Sequence, residues 1–313
     1  MVQRNLDYRL LKDRRNEYGI SQNKLATACG LSRPYLNQIE NGGVTASTKT
    51  MRKIFNQLES FNPDLPLSLL FDYVRIRFPT TDARKIIQEI LHLKFDYMLH
   101  EDYAFYSYQE QYVMGDIVVM LSHEEDKGVL LELKGRGCRQ FETFLLAQKR
   151  SWYDFFEDCL KAGGVMKRLD LAINDLVGLL DIPDLTKKCQ KEECISLFRT
   201  FKSYRSGELL KADEKDGMGN TLYIGSLKSE VYFCLYEKDY EQYIKLGIPL
   251  DKTETKNRFE IRLKNDRAYH AIQDLLKGRS IESTTFSIIN RYLRFADKVE
   301  GKRRTRSEER RVG

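Results

Sequence analysis

Three short segments with strict period-two alternation constrain this chain more than any other feature of its sequence. They are "RLDLAIND" at residues 168–175, "VYFCLYEK" at residues 231–238 and "NRFEIRLK" at residues 257–264. Successive side chains of a β-strand point to opposite faces, so such alternation places apolar residues on one face and polar residues on the other. The sequence therefore predicts strands of a sheet that has one buried face and one open face.

The polar faces of these predicted strands carry two carboxylates and a phenol. Asp170 and Glu260 alternate with apolar neighbours, and Tyr236 shares a face with Tyr232 and Cys234. Carboxylates are hard oxygen ligands that suit Mg²⁺ or Mn²⁺, and a tyrosine beside such an ion can attack a phosphodiester. If the three strands lie in one sheet, Asp170, Glu260 and Tyr236 can meet on its open face.

Two further residues extend this candidate site. Glu132 lies in a predicted strand over residues 129–134 whose apolar side chains take the other face, so it is a candidate third metal ligand. An exposed strand glutamate paired with a lysine is the alternative interpretation. Lys238 follows Tyr236 by two residues, and its ammonium group could offset negative charge on a phosphate.

Length and composition indicate a cytoplasmic protein of about two domains. The chain has 313 residues, no apolar run near the ~18 residues that a membrane helix needs, and no signal-peptide pattern at its N-terminus. Its six cysteines are scattered without a C-x-x-C pair. We therefore expect reduced thiols, with neither a disulfide framework nor a zinc site.

The positive charge is concentrated near the N-terminus. Residues 1–59 contain ten Lys and Arg against five Asp and Glu, whereas the remainder contains 42 against 41. A small basic unit suits a polyanionic partner, and a solvated basic surface is the alternative.

The segment "SQNKLATACGLSRPYLNQIENG" at residues 21–42 predicts two short helices joined by a glycine turn. Ser21 and Ser32 are suitable N-caps, Gly30 suits the left-handed backbone at a helix end, and Pro34 fits a first turn. Such a pair forms a helix-turn-helix whose second helix can enter a major groove. The pattern resembles the repressor-type helix-turn-helix of the XRE/Cro class, and a helical hairpin used for protein contacts is the alternative.

The helix-turn-helix resemblance implies roles for individual residues. Glu40 is expected to pair within the unit and thus to be structural. The residues that would contact bases and phosphates are Gln22, Ser32, Arg33, Tyr35 and Gln38.

The segment "NPDLP" at residues 62–66 breaks the helical pattern, so we place a domain boundary there, between a domain at 1–61 and a domain at 67–300. The second domain mixes strands and helices without strict alternation, which predicts an α+β fold with a mostly antiparallel sheet and helices on one face. Strands are predicted at 67–78, 104–108, 116–122, 129–134, 166–173, 221–225, 231–237 and 258–263, and helices at 81–93, 141–160 and 184–204.

Blocks of the second domain resemble the Rep_trans family, which contains initiators of rolling-circle plasmid replication and relaxases of integrative conjugative elements. The blocks include "LSLLFDYVRIRF", "GVMKRLDLAIND", "VYFCLYEKDYEQ" and "NRFEIRLKNDRA", and they occur in family order. With the N-terminal helix-turn-helix, the resemblance is closest to MobT-type relaxases and covers roughly residues 10–300.

The resemblance implies a metal-dependent enzyme that nicks one DNA strand and keeps a covalent 5′-phosphotyrosine bond. The family's nucleophile falls on Tyr236, and its carboxylates fall on Asp170 and Glu260, in agreement with the strand faces. The implied partners are double- and single-stranded DNA at an origin of transfer, together with a coupling protein and accessory DNA-processing factors. The implied cofactor is Mg²⁺ or Mn²⁺.

Two segments remain outside this scheme. "GRGCRQFE" at residues 135–142 could grip a backbone phosphate through its amides, Arg136 and Arg139, and a plain flexible loop is the alternative. The last residues, 305–313, look like a sequencing-adapter translation, so we expect a non-native tail and a natural chain that continues beyond about Arg304.

The sequence as a whole favours a conjugative relaxase that binds an origin of transfer and nicks it. A rolling-circle plasmid replication initiator is the first alternative, because it uses the same chemistry. A DNA-binding transcriptional regulator with an inactive nicking domain is the second, and it is not an enzyme.

Overall fold

The structure is a computed structural model that describes residues 8–59, 61–62, 66–124, 126–205 and 219–296. The expected tail at residues 305–313 and the middle of the predicted domain boundary, residues 63–65, lie outside these ranges. The described residues form two compact units. The first consists of those within 1–65, 69–171 and 263–281, and the second of those within 66–68, 172–262 and 282–313.

The first unit begins with four helices that form the predicted helix-turn-helix region: α1 Tyr8–Glu17, α2 Gln22–Ala28, α3 Arg33–Glu40 and α4 Thr48–Glu59. Ser21 and Ser32 cap α2 and α3 as predicted, since their side chains accept hydrogen bonds from the amides of Lys24 and Tyr35. Gly30 follows α2 with φ of +61°, a backbone conformation that glycine tolerates best. The four helices share a core of fully buried side chains: Leu11, Leu25, Cys29, Leu36, Ile39, Ile54 and Leu58.

The remainder of the first unit is a sheet with helices packed on it. The strands are β1 Leu67–Phe78, β2 Leu99–Glu101, β3 Glu110–Met114, β4 Ile117–Leu121, β5 Val129–Lys134 and β6 Val165–Asp175. They hydrogen-bond in the order β2-β3-β4-β5-β1-β6, and the pairs β2–β3, β3–β4, β4–β5 and β1–β5 are antiparallel. The helices are α5 Ala83–Lys85, followed by a π-helical turn Ile86–Ile90, α6 Gly135–Ala147, α7 Trp152–Lys161 and, from a later part of the chain, α10 Asn265–Leu276.

The second unit contains the end of β6 and the elements that follow it. These elements are α8 Ile182–Gln190, β7 Cys194–Ser196, β8 Phe201–Arg205, β9 Asn220–Ile224, β10 Val231–Glu237, α9 Lys238–Leu246, β11 Asn257–Lys264, α11 Ile281–Tyr292 and β12 Leu293–Phe295. The strands hydrogen-bond in the order β6-β11-β10-β9-β8. The pairs β8–β9 and β9–β10 are antiparallel, and a separate two-stranded sheet joins β7 to β12.

The predicted α+β class with an antiparallel sheet is confirmed, and so are most of the predicted strands. Three of them, β1, β5 and β10, have the predicted bounds. Strand β11 alternates between buried and half-buried residues along its whole length, as its pattern predicts. None of the helices in the described ranges is long and apolar enough to span a bilayer.

Several predicted elements are wrong because local features interrupt them. The predicted helix at 141–160 is two helices, since Lys149 takes φ of +57° and Ser151 starts α7 with a capping box. Residues 104–108 form a turn with positive φ at Tyr106 and Ser107, so they are not a strand. The predicted helix at 184–204 ends at Gln190, and β7 and β8 follow it.

Candidate active site and nucleic-acid interface

Tyr236 lies near the end of β10, with its hydroxyl between a glutamate carboxylate and a lysine ammonium group. Its Oη donates a hydrogen bond of 2.8 Å to Oε1 of Glu260 on the neighbouring strand β11. Nζ of Lys238 donates to the same Oη at 3.5 Å. The strand faces inferred from the sequence therefore bring Tyr236 and Glu260 into direct contact, and Lys238 stands beside them.

The phenol of Tyr236 is held in its neutral form. Burial raises the pKa of Tyr236 far above its ordinary value, the nearby charge of Glu260 raises it further, and Arg258 offsets only part of the increase. At neutral pH the hydroxyl therefore keeps its proton unless a neighbouring group accepts it. Glu260 is the carboxylate that already receives the hydrogen bond.

Asp170 is paired with an arginine of its own strand. Arg168 donates from Nε to Oδ1 at 2.8 Å and from Nη2 to Oδ2 at 2.5 Å, and the carboxylate is 2% exposed. The guanidinium also lies over the ring of Tyr73, with Cζ 3.7 Å from the ring centroid. Because Arg168 and Asp170 are two residues apart on one strand face, this fork-like pairing follows from the strand pattern.

Glu132 is the centre of a buried polar cluster in the first unit. It accepts hydrogen bonds from the hydroxyls of Tyr73 and Tyr106, the latter at 2.9 Å. Nζ of Lys134 lies 3.0 Å from Oε2, although no well-directed hydrogen bond reaches that atom. The side chain is 1% exposed, so the alternative of an exposed glutamate is wrong, whereas its pairing with a lysine is confirmed.

The three candidate metal ligands match a hard divalent cation in donor type. All are carboxylates, and Oε2 of Glu132 is a buried acceptor without a directed hydrogen bond. In the part of the chain that the structure describes, no three His, Cys, Asp or Glu side chains form a group that could hold a metal ion. Asp170, Glu132 and Glu260 instead contact arginine, lysine and tyrosine donors.

The candidate phosphate-binding segment at residues 135–142 forms the first turns of α6, so the alternative of a flexible loop is wrong. Arg136 is exposed on that helix. Arg139 pairs with Glu142 at 2.9 Å and donates a hydrogen bond to the carbonyl of Phe71, so it connects α6 to β1. Glycine permits the close approach here, since a Cβ on Gly137 would lie 2.3 Å from the carbonyl oxygen of Asp116.

The helix-turn-helix presents its candidate contacts from α2 and α3. Gln22 donates to Oδ1 of Asn37 at 3.0 Å and to Glu40 at 2.9 Å, and Arg33 donates to Gln22 at 3.4 Å. This network joins Gln22, the first residue of α2, to Arg33, Asn37 and Glu40 along α3. Asn37 is a member of this network that sequence reasoning missed.

The remaining candidates of α3 differ in exposure. Gln38 is exposed and Tyr35 packs partly against the helical core. The hydroxyl of Ser32 accepts a hydrogen bond from the amide of Tyr35 at 3.3 Å, so this serine serves as a cap. Glu40 has the predicted structural role, because its carboxylate accepts from Nε and Nη2 of the buried Arg15 at 2.7 and 3.2 Å.

Asp175 supports the turn that follows β6, the role that its position suggests. It is 0% exposed and accepts hydrogen bonds from the amides of Gly178 and Leu180 at 2.8 Å and from Asn257 at 2.9 Å. Burial alone would raise the pKa of Asp175, but the hydrogen bonds from Asn257 and the amides outweigh it and hold the pKa below its usual value.

We expect Asp175→Ala to destabilise the protein by about 3 kcal/mol at pH 7, because it leaves several buried donors without an acceptor. A carboxyl with a lowered folded pKa stabilises the fold above its unfolded pKa of ~4, and that contribution disappears as pH falls through the folded value. The difference from the wild type should therefore shrink in acid. Urea unfolding at pH 7 and in acid measures it, with Asp251→Ala, an exposed aspartate, as the control.

Comparisons with known proteins agree with this architecture. Residues 164–311 match the Rep_trans family, described as replication initiation factor. Residues 68–158 match the rolling circle replication initiation protein N-terminal domain, and residues 11–61 match a helix-turn-helix domain.

Two named relatives cover different parts of the chain. The "Putative DNA relaxase NicK" of Bacillus subtilis (strain 168) is 48% identical over 236 residues, which are 75% of this chain and 66% of that protein. The "ImmF control region 10 kDa protein" of Bacillus phage phi105 is 49% identical over 45 residues, which are 14% of this chain and 50% of that protein. The chain thus spans just under two thirds of the length of the relaxase relative.

A solved structure shares the fold. The rolling circle replication initiator protein from Geobacillus stearothermophilus superposes with a TM-score of 0.65 at 23% identity, and the match covers 78% of this chain and 91% of the other. The family matches, taken by themselves, place a Rep_trans region after a helix-turn-helix domain. Residues 164–311 belong to the Rep_trans family of replication initiation factors, and residues 11–61 form a helix-turn-helix domain that precedes them.

Proposed function

We propose that the protein is a conjugative relaxase, a DNA-nicking enzyme that binds an origin of transfer and cuts one strand through Tyr236. The observation that carries the proposal is the contact between Tyr236 and Glu260 in a chain 48% identical to a protein named as a DNA relaxase. The helix-turn-helix would bind duplex DNA near the origin, through Arg33 and Gln38 of α3. Such an enzyme would act on DNA in the cytoplasm, with a coupling protein and accessory factors as further partners.

The proposed reaction transfers a phosphodiester from one oxygen to another. Oη of Tyr236 attacks phosphorus, the bond from phosphorus to the 3′ oxygen breaks, and the products are a 5′-phosphotyrosine and a 3′-hydroxyl. Glu260 is placed to accept the phenol proton, since its Oε1 already receives that hydrogen bond. The leaving 3′ oxygen takes up a proton, so the charges balance and the step can run backwards to reseal the strand.

Lys238 contributes positive charge beside the nucleophile. Its Nζ lies 3.5 Å from Oη of Tyr236 and also pairs with Glu241, which holds the ammonium group at this place. Charge fixed in advance stabilises the phenolate and the phosphate oxygens more than mobile charge would. Mg²⁺ or Mn²⁺, when bound, would polarise the scissile phosphate, and Glu260 is the candidate carboxylate ligand beside Tyr236.

The direct test incubates the protein with supercoiled DNA that carries the origin of its element, with Mg²⁺ or Mn²⁺ and with a chelator. We expect relaxed circles with protein attached to the 5′ end, and no product when the chelator is present. Covalent attachment is read as a mobility shift that survives detergent and disappears after proteolysis. Nicking that continues undiminished with the chelator would contradict the proposed metal dependence.

Glu260 is the candidate proton acceptor, and a conservative substitution tests this role. Glu260→Gln preserves size and removes the carboxylate, so we expect nicking of a short single strand to slow by about 10²- to 10⁴-fold. Glu237→Gln is the matched control, because this neighbouring glutamate hydrogen-bonds to Asn220. An unchanged rate in Glu260→Gln would remove Glu260 from the mechanism.

A rolling-circle plasmid replication initiator is the second candidate function. The match of residues 68–158 to a rolling circle initiator domain favours it, whereas the N-terminal helix-turn-helix favours the relaxase. Nicking of a plasmid replication origin in preference to an origin of transfer would select the initiator. Duplex binding without nicking at either origin would select the transcriptional regulator.

A further inference from the structure

A row of three tyrosine rings crosses the second unit on strands β8, β9 and β10. The rings of Tyr204 and Tyr223 meet edge to face with centroids 5.6 Å apart, and those of Tyr223 and Tyr232 stack at 5.8 Å. The guanidinium carbon of Arg262 on β11 lies 5.3 Å from the ring centroid of Tyr232 and extends the row with a cation. We name these four residues the tyrosine row.

The tyrosine row lies on the same sheet face as Tyr236. On β9, Thr221 lies opposite Tyr204 of β8 on one side and opposite Tyr236 of β10 on the other. Tyr223, two residues further along β9, lies in the same way between Lys202 and Cys234. Side chains of directly opposed residues share a face, so Tyr204 stands two strand spacings, about 10 Å, from Tyr236. The alternate residues Leu222, Ile224 and Phe233 are buried on the other face.

Exposure falls along the row from the edge strand inwards. Tyr204 is 56% exposed, Tyr223 is half-buried, and Tyr232 is only 5% exposed. Burial of the inner rings fixes the row in place, whereas the outer ring remains accessible. Lys202, on the same face of β8, is exposed and adds a positive charge.

We propose that the tyrosine row is a stacking platform for the bases of single-stranded DNA beside the nicking tyrosine. Unpaired bases stack on aromatic side chains in any sequence, and Arg or Lys groups next to the rings neutralise the phosphates. A duplex buries its base faces and cannot use such a platform. The identity of the ligand rests on the proposed nicking function, because that reaction is what brings a single strand to this face.

Binding to a fluorescent 12-mer of thymidylate, measured by anisotropy with the full chain and without divalent cation, tests the platform. An abasic 12-mer has the same phosphates without bases, so it measures the electrostatic contribution alone. We expect Tyr204→Ala to weaken thymidylate binding by about five-fold or more, from the ~1–3 kcal/mol that stacking contributes per base. Binding of the abasic strand should stay unchanged, and Tyr204→Phe should bind like the wild type.

Phe201→Ala is the matched control, because Phe201 lies on the same strand and pairs with the buried Ile224 of the other face. Equal thymidylate binding by Tyr204→Ala and wild type, or equal losses on both strands, would overturn the proposal. Cleavage does not enter this measurement. Base-dependent binding that is lost in Tyr204→Ala would therefore support the platform even if no nicking were found. Nicking by a protein that shows no such base-dependent binding would refute the platform and leave the nicking function standing.

Discussion

Tyr236→Phe should abolish strand nicking and the covalent protein–DNA adduct, with a fall in rate on the order of 10⁴-fold or more. The substitution removes only the oxygen that would form the phosphotyrosine bond, and a phenyl ring offers no substitute nucleophile. The ring stays in place, and the fold loses only the hydrogen bonds that this hydroxyl makes with Glu260 and Lys238, worth about 1 kcal/mol each. Cleavage of a labelled single strand that contains the nick site, followed on denaturing gels, measures both the rate and the adduct.

Tyr243→Phe is the control for this experiment. Tyr243 lies on α9, close to Tyr236 in sequence, and is partly exposed, so its hydroxyl is a rival candidate. We expect this variant to nick at the wild-type rate, and both variants to bind the single strand as the wild type does. An adduct that persisted in Tyr236→Phe would assign the nucleophile to another of the chain's 18 tyrosines.

Glu40→Ala should destabilise the helix-turn-helix by about 3–5 kcal/mol and abolish duplex binding. Arg15 is buried against Glu40 and donates two hydrogen bonds to it, so the substitution leaves an uncompensated buried charge. The substitution also removes the hydrogen bond from Gln22 of α2 to Glu40, which is one of the contacts that hold α3 against α2. Thermal unfolding followed by circular dichroism and duplex binding measured by anisotropy report the two effects.

Glu17→Ala is the matched control, since Glu17 is an exposed glutamate at the end of α1. We expect it to change neither stability nor duplex binding by a measurable amount. Cleavage of a short single strand by Glu40→Ala should continue, because Tyr236, Lys238 and Glu260 do not belong to the helical core. If duplex binding survived Glu40→Ala, the recognition role of α3 would be contradicted.

Local signals in the sequence were sufficient for the elements that follow simple periodicity. Strand β11 alternates for eight residues, and its predicted face is the observed one. The helices α2 and α3 begin at the predicted caps because Ser21 and Ser32 accept hydrogen bonds from backbone amides within three residues. Both signals depend on neighbours in sequence, so the remainder of the fold cannot override them easily.

Other elements depended on contacts that sequence periodicity does not report. The glycines at 135 and 137 suggested a loop, yet Gly137 packs within α6 against the carbonyl of Asp116, where a larger residue would clash. The edge strand β8 has five exposed residues and no alternation, so its only reason to be a strand is its pairing with β9. A helical prediction was the natural error for such a segment.

The sequence by itself determined which side chains share a strand face, because a period of two is set by the backbone within a few residues. It thereby placed Tyr236 and Glu260 on polar faces and Asp170 beside Arg168. Only the tertiary structure decided which strands are neighbours and which groups are covered. Strand pairing made Glu260 the partner of the Tyr236 hydroxyl, and the turn that carries Tyr106 buried Glu132, since both contacts join residues more than 20 positions apart.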